Sequence, residues 1–206
     1  MRRQGGDLRR YEAIGKAINF PGAAGDTERE DCCRTEGVGG GVGMKAVRLG
    51  EHARLIRGIT FKPQDKCDPH DEGAVVCMRT KNVQSTLDGS DLIAIPMSLV
   101  KNIEKMISIG DILVSSANSW NLVGKCCQVR ELQFPSTAGG FISILRPKTD
   151  KLDAGYLYRW FSSEKIQNKV RSFGNQTTNI SNLDHKRTLN LQIPLPPLDE
   201  QRRLAA

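Results

Sequence analysis

RSFGNQTTNISNLDHKRTLNLQIPLPPLDEQRRLAA, residues 171–206, is the stretch on which the reading of the whole chain turns. Its polar run from Gly174 to Asn179 reads as a loop. Ser181 to Thr188 is expected to form a short helical patch that Asn179 to Ser181 would cap, and Leu189 to Ile193 an extended strand. Pro196 and Pro197 end that strand and open a new helix, because proline is tolerated in a first helical turn. Asp199 and Glu200 suit the positive end of such a helix, and Arg202 and Arg203 follow. Leu198 and Leu204 begin an apolar stripe, but a helix this short is not stable by itself. The expectation is that the chain is truncated there or that the stub needs a partner.

Upstream, the apolar residues Tyr156, Leu157, Trp160, Phe161 and Val170 fall near one helical stripe. They predict one helix over Asp153 to Ser172, capped by Asp153 and stopped by Gly174. A shorter helix is expected over Ser98 to Met106, from the spacing of Leu99, Ile103 and Met106. Short β-type runs precede and separate these: Ala46 to Leu49, Ala74 to Met78, Leu92 to Ile95, Asp111 to Ser115, Gly124 to Val129 and Phe141 to Leu145. Each is bounded by Gly, Pro, Asp or Asn, as strands are. The implied fold class is α/β (α+β), with a mixed sheet and a few helices.

The 206 residues are 38% hydrophobic and 26% charged, which suits a soluble core of one domain with tails. No apolar run reaches the ~20 residues of a membrane helix, and no signal peptide is legible, so a cytoplasmic protein is expected. The net charge of +7 lies wholly after residue 43. Ten of the 20 glycines lie before it, ending in GVGGGVG. Residues 1–43 therefore read as a disordered Gly-rich extension, with Met44 as the expected initiator. Gly41 to Ala46 fits a loose dinucleotide-loop pattern, but no strand precedes it, so it reads as a linker. The six cysteines form no CxxC, and Cys67, His70 and Cys77 are too weak a set to assign a metal. PLPP lacks the flanking polar and aromatic residues that would hold a target amine. No catalytic constellation is expected.

The ending resembles the specificity subunits of type I restriction-modification systems. Gly174, Asn179, Ile180, Ser181 and IPLPPLDEQRRL (Ile193 to Leu204) carry the resemblance. VRLGEHARLIRGITF, MRTKNV, IGDILVSS, LVGK and YLYRWFSS fall in the same order as in that family. The resemblance covers residues 44–206. It implies a target-recognition domain at 44–195 that reads half of a split double-stranded DNA site, and the start of a spacer helix at 196–206. It also implies a non-catalytic chain working with a methyltransferase (modification) subunit and a restriction motor-endonuclease subunit. S-adenosylmethionine, ATP and Mg would then sit on those partners, not on this chain. A silent, truncated cassette or protein-interaction fragment is the alternative.

Within that frame, base edges call for Arg, Asn and Gln, and phosphates for Lys and hydroxyl groups. Three polar stretches supply them: Arg79, Lys81, Asn82 and Gln84; Ser115, Ser116, Asn118, Ser119, Trp120, Asn121 and Lys125, where Gly124 would make a tight turn; and Asn175, Gln176, Thr177, Thr178 and Asn179. Lys169 and Arg171, on the helix just before the last stretch, complete the expected DNA-binding set.

Overall fold

The computed structural model describes residues 45–177 and 180–206, with the backbone alone at 175–177. The expected extension over 1–43, and Thr178 and Asn179, lie outside the described residues. The chain opens with β1 (Ala46–Arg48), the single turn α1 (Leu49–His52) and β2 (Ala53–Arg57). There follow β3 (Ala74–Met78), β4 (Ala94–Pro96), β5 (Ile112–Ser115), β6 (Ala117–Asn118), β7 (Cys126–Gln128), β8 (Ser136–Ala138) and β9 (Ile142–Pro147). The later part holds α2 (Ala154–Ser162), α3 (Glu164–Ser172), β10 (Asn175–Thr177), β11 (Ile180–Asn182), α4 (His185–Leu189), β12 (Gln192–Pro194) and α5 (Leu198–Ala205). The expected α/β class is what the chain adopts.

A four-stranded antiparallel sheet, ordered β2-β9-β5-β7, lies at the centre. Its strands alternate between two buried faces, as a period of two requires. Ile112, Val114 and Leu145 pack against Tyr156, Leu157 and Phe161 of α2 and Ile166 and Val170 of α3. Leu113, Ile142 and Ile144 face the other way, onto Val76 and Met78 of β3 and Ala138 of β8. Those belong to a second sheet, β4-β3-β8, in which β3 pairs antiparallel with β4 and parallel with β8. This is the mixed sheet. Phe161 is fully buried, a burial worth about 2–3 kcal/mol.

Four expected elements differ. The polar run from Gly174 to Asn179, expected as a loop, contributes the strand β10 over Asn175–Thr177, paired with β11. Ser98 to Met106 is not an α-helix but two 3-10 turns, Met97–Leu99 and Ile103–Lys105. Asn102 is itself extended, and its side chain accepts from the Glu104 amide and starts the second turn. The helix over 153–172 breaks at Ser163, whose φ of −61° and ψ of 144° are extended. Its two halves keep the apolar stripe, and the expected cap is present: the Asp153 carboxylate accepts from the Tyr156 amide. Ser181 to Thr188 is strand then helix. Residues up to Asn182 are drawn into β11, and Asp184 rather than Asn179–Ser181 caps α4, accepting from the Arg187 amide at 2.9 Å.

The two ends of the domain are tied together. β1 pairs with β12, Val47 opposite Ile193. The short helix α5, expected to need a partner, has one in α2. Gln201 is completely buried: its side-chain oxygen accepts from the Asp153 amide at 2.9 Å, and its amide donates to the Lys151 and Pro196 carbonyls at 2.8 Å. Arg159 of α2 donates to the Ala205 and Ala206 carbonyls, and Tyr156 donates to the Pro194 carbonyl.

Candidate nucleic-acid interface

The antiparallel register fixes which residues share one end of the central sheet. Arg57 ends β2 opposite Ser143, Ile142 begins β9 opposite Ser115, and Ser115 donates its amide to Lys125 just before β7. Across the strands the last row reads Gly58, Ile142, Ser115, Lys125, with Arg57 one residue before it on β2 and Phe141 and Ser116 one residue beyond it. Arg57 is exposed and makes no ion pair among the described residues.

The expected polar stretches are brought to this end. The first is tied in by Lys125, which donates to the Gln84 side-chain oxygen. The second and third meet through a small sheet, β10-β11-β6, in which Asn118 pairs with Ser181. Gly124 stands at φ +85° in the second stretch, and a Cβ there would lie 2.9 Å from Val170 Cγ1 of α3. Only glycine adopts that backbone easily and fits that approach. The turn is thus pressed onto the helix that carries Lys169 and Arg171.

The side chains differ in what they leave free. Trp120 (47% exposed), Asn121 and Lys169 face solvent. Arg171 donates to Asn168. Arg79 and Lys81 both engage the Asp91 carboxylate, so their charge is partly compensated within the fold. Ser115 is buried, and its hydroxyl accepts from Asn118 at 3.1 Å. Asn82 is buried too. Its oxygen accepts from the Arg79 amide, and its nitrogen donates to the Asp88 and Asp91 carbonyls. Its amide offers no open edge to a base, so it works as a clasp for the 79–91 loop. Asn175, Gln176 and Thr177 supply the backbone of β10; Thr178 and Asn179 are outside the described residues.

Reading the sequence missed Arg57, Phe141 and Arg187. Arg187 stacks its guanidinium on Phe173, 4.3 Å from the ring centroid. Beside them His185 meets the Ser143 hydroxyl at 3.0 Å, and burial and the neighbouring Arg57 charge push its pKa below the usual histidine value. Arg57 was findable in principle. ARLIR is a strand whose far end a register against FISIL would place beside Phe141.

No cluster of metal-ligating side chains occurs among the described residues, and His70 turns to Asp68 and the Phe134 ring. Burial pushes the thiols of Cys77 and Cys126 up to about 12 and that of Cys127 to about 11. Such thiols stay protonated and inert. No helix among the described residues is long and apolar enough to cross a membrane. What this end of the sheet offers is cations, hydroxyls, amides and two exposed aromatic rings, a chemistry suited to a polyanion with stacked rings.

Comparison with known proteins gives the same direction. The specificity subunit of the type I restriction enzyme EcoKI from Escherichia coli is 30% identical over 152 residues, 73% of this chain and 32% of that protein. The StySPI specificity subunit of Salmonella potsdam matches to the same extent. The chain thus spans about a third of the length of these curated relatives. Among solved structures, the HsdS subunit from Thermoanaerobacter tengcongensis shares the fold with a TM-score of 0.56 at 21% identity, over 97% of this chain and 44% of that one. A chain of a type I R-M system solved for its complex assembly and conformational transition gives a TM-score of 0.60 at 20% identity, over 97% of this chain and 42% of its own length. Residues 41–206 match the type I restriction modification DNA specificity domain, and the chain belongs to that family.

Proposed function

We propose that residues 44–195 read one half of a split double-stranded DNA site and so direct adenine methylation and cleavage carried out by other subunits. The observation that supports this most is the convergence, at one end of the central sheet, of Arg57, Ser116, Lys125 and Gln84 with the 119–121 loop. Exposed cations there hold phosphates, and Asn121 and the expected 175–179 stretch are assigned to the bases, while the Gln84 amide is engaged by Lys125 and the Lys81 carbonyl. Each bidentate base contact contributes about 1–3 kcal/mol of discrimination at one position. Asn82 leaves the expected contact set, because its amide is fully engaged within the loop.

In this reading the chain is not itself an enzyme and acts in the cytoplasm. Residues 196–206 begin a spacer helix, and a methyltransferase subunit and a motor-endonuclease subunit assemble with the chain. Those partners supply the S-adenosylmethionine, ATP and Mg sites. Base-modification sequencing of host DNA with the gene present and deleted tests it. A split adenine-methylated motif that vanishes on deletion is the expected result. An unchanged methylome would overturn the role and leave a silent cassette in its place.

A further inference from the structure

We infer that Phe141 is an insertion residue, whose ring enters the base stack of duplex DNA beside a phosphate that Arg57 holds. The inference rests on the DNA-reading function proposed above. Phe141 is 65% exposed, while Phe161 and Tyr156 are buried in the core. Nothing in the fold requires a large apolar ring at that point.

The ring is presented rigidly. The Ile142 amide donates to the Gly139 carbonyl at 2.8 Å and closes a tight turn around Phe141. The Phe141 carbonyl accepts from the Ser116 and Ala117 amides on one side. On the other side the Gly58 amide donates to the Ile142 carbonyl at 3.0 Å, and Ile59 to the Ala138 carbonyl at 2.7 Å. A Cβ on Gly58 would stand 2.1 Å from the Gly139 carbonyl oxygen, so only glycine permits this approach. The backbone beneath the ring is locked by the sheet, and insertion costs little ordering of the protein.

The surroundings specify the occupant. Arg57 lies one strand away, exposed and without an ion pair among the described residues, whereas Lys125, opposite Ser115 and bonded to Gln84, belongs to the other face of the sheet. At about 4.8 Å per strand, the Arg57 guanidinium is within reach of a phosphate that borders the step at Phe141. An exposed apolar side chain beside such a cation matches a wedge that unstacks one base step and bends the duplex. Phenylalanine reads no hydrogen-bond pattern. Its contribution is to favour steps that open easily, above all pyrimidine–purine steps.

The test uses the full chain and a short end-labelled duplex carrying the motif whose methylation depends on this gene. Affinity is read by anisotropy and bending by energy transfer between the ends. Wild type is expected to bend the duplex. Phe141→Ala should bind about tenfold more weakly and leave the duplex straight, with the salt dependence of binding unchanged. Phe141→Leu, which keeps an apolar wedge, should restore much of the bend. Thermal melting of each variant should match wild type, since the ring is outside the core. Wild-type binding without a bend, or a bend that survives Phe141→Ala, would overturn the insertion while leaving the reading function intact. Full DNA affinity and bending in Phe141→Ala with loss of co-purifying modification subunit would assign the ring to a protein contact instead. Failure of wild type to bind the motif duplex would overturn the reading function and the insertion with it.

Discussion

At one end of the central sheet Arg146 is turned inward; at the other Arg57 is turned out. Arg146 gives Nε to one Asp111 carboxylate oxygen at 2.7 Å and a terminal nitrogen to the other at 2.6 Å. It also donates to the carbonyls of Glu104 and Met106. Asp111 is 3% exposed. Beside this pair, Arg54 engages Glu104. The Arg57 end has no such closure: Arg57 stands opposite Ser143, with the neutral-leaning His185 beside it. Both ends place arginine at strand termini. Whether the charge is structural or available to a ligand depends on the partners that the fold assembles around it, not on residue type.

Three variants would break or sharpen that contrast. Arg146→Met should cost the most, about 3–5 kcal/mol, because it strands a buried carboxylate. Urea denaturation at constant m-value would show it; a loss under about 1 kcal/mol would put Arg146 on the same footing as an ordinary surface residue. Gln201→Ala should cost about 2–3 kcal/mol, since the Asp153 amide and the Lys151 and Pro196 carbonyls lose their partner. Its melting transition should drop accordingly, with α5 detaching from α2. Arg57→Gln should leave stability within about 0.5 kcal/mol of wild type. It should instead weaken duplex binding and make the log–log salt dependence shallower by about one. An unaltered salt slope would remove Arg57 from the phosphate contacts.

The parts of this architecture that local chemistry determines were readable in advance. The AVVCM strand of β3, the Asp153 cap and the Pro197 helix start all follow from runs and caps within a few residues. The misses share a cause. An apolar stripe continues across Ser163 whether or not the backbone does, so the break between α2 and α3 left no mark in the periodicity. ARLIR has arginines at two of its five positions and acquires strand character only by pairing with β9, about ninety residues away. The same holds at the interface. Asn82 and Asn121 look alike in sequence, yet one is walled in by the carbonyls of Asp88 and Asp91 and the other faces solvent. Phe141 looked like the first residue of a core strand; the turn at Gly139 to Ile142 turns it outward.

The clasp on α5 has a mechanical consequence. Gln201 and Arg159 bolt that helix to α2 by side chain to backbone bonds at both of its ends. It is a shaft keyed into the domain rather than a tether. Each residue along an α-helix advances about 1.5 Å and turns about 100°. A body joined through α5 would therefore be indexed against the Phe141 edge like a gear tooth, and adding one residue to the shaft would swing it through more than a quarter turn.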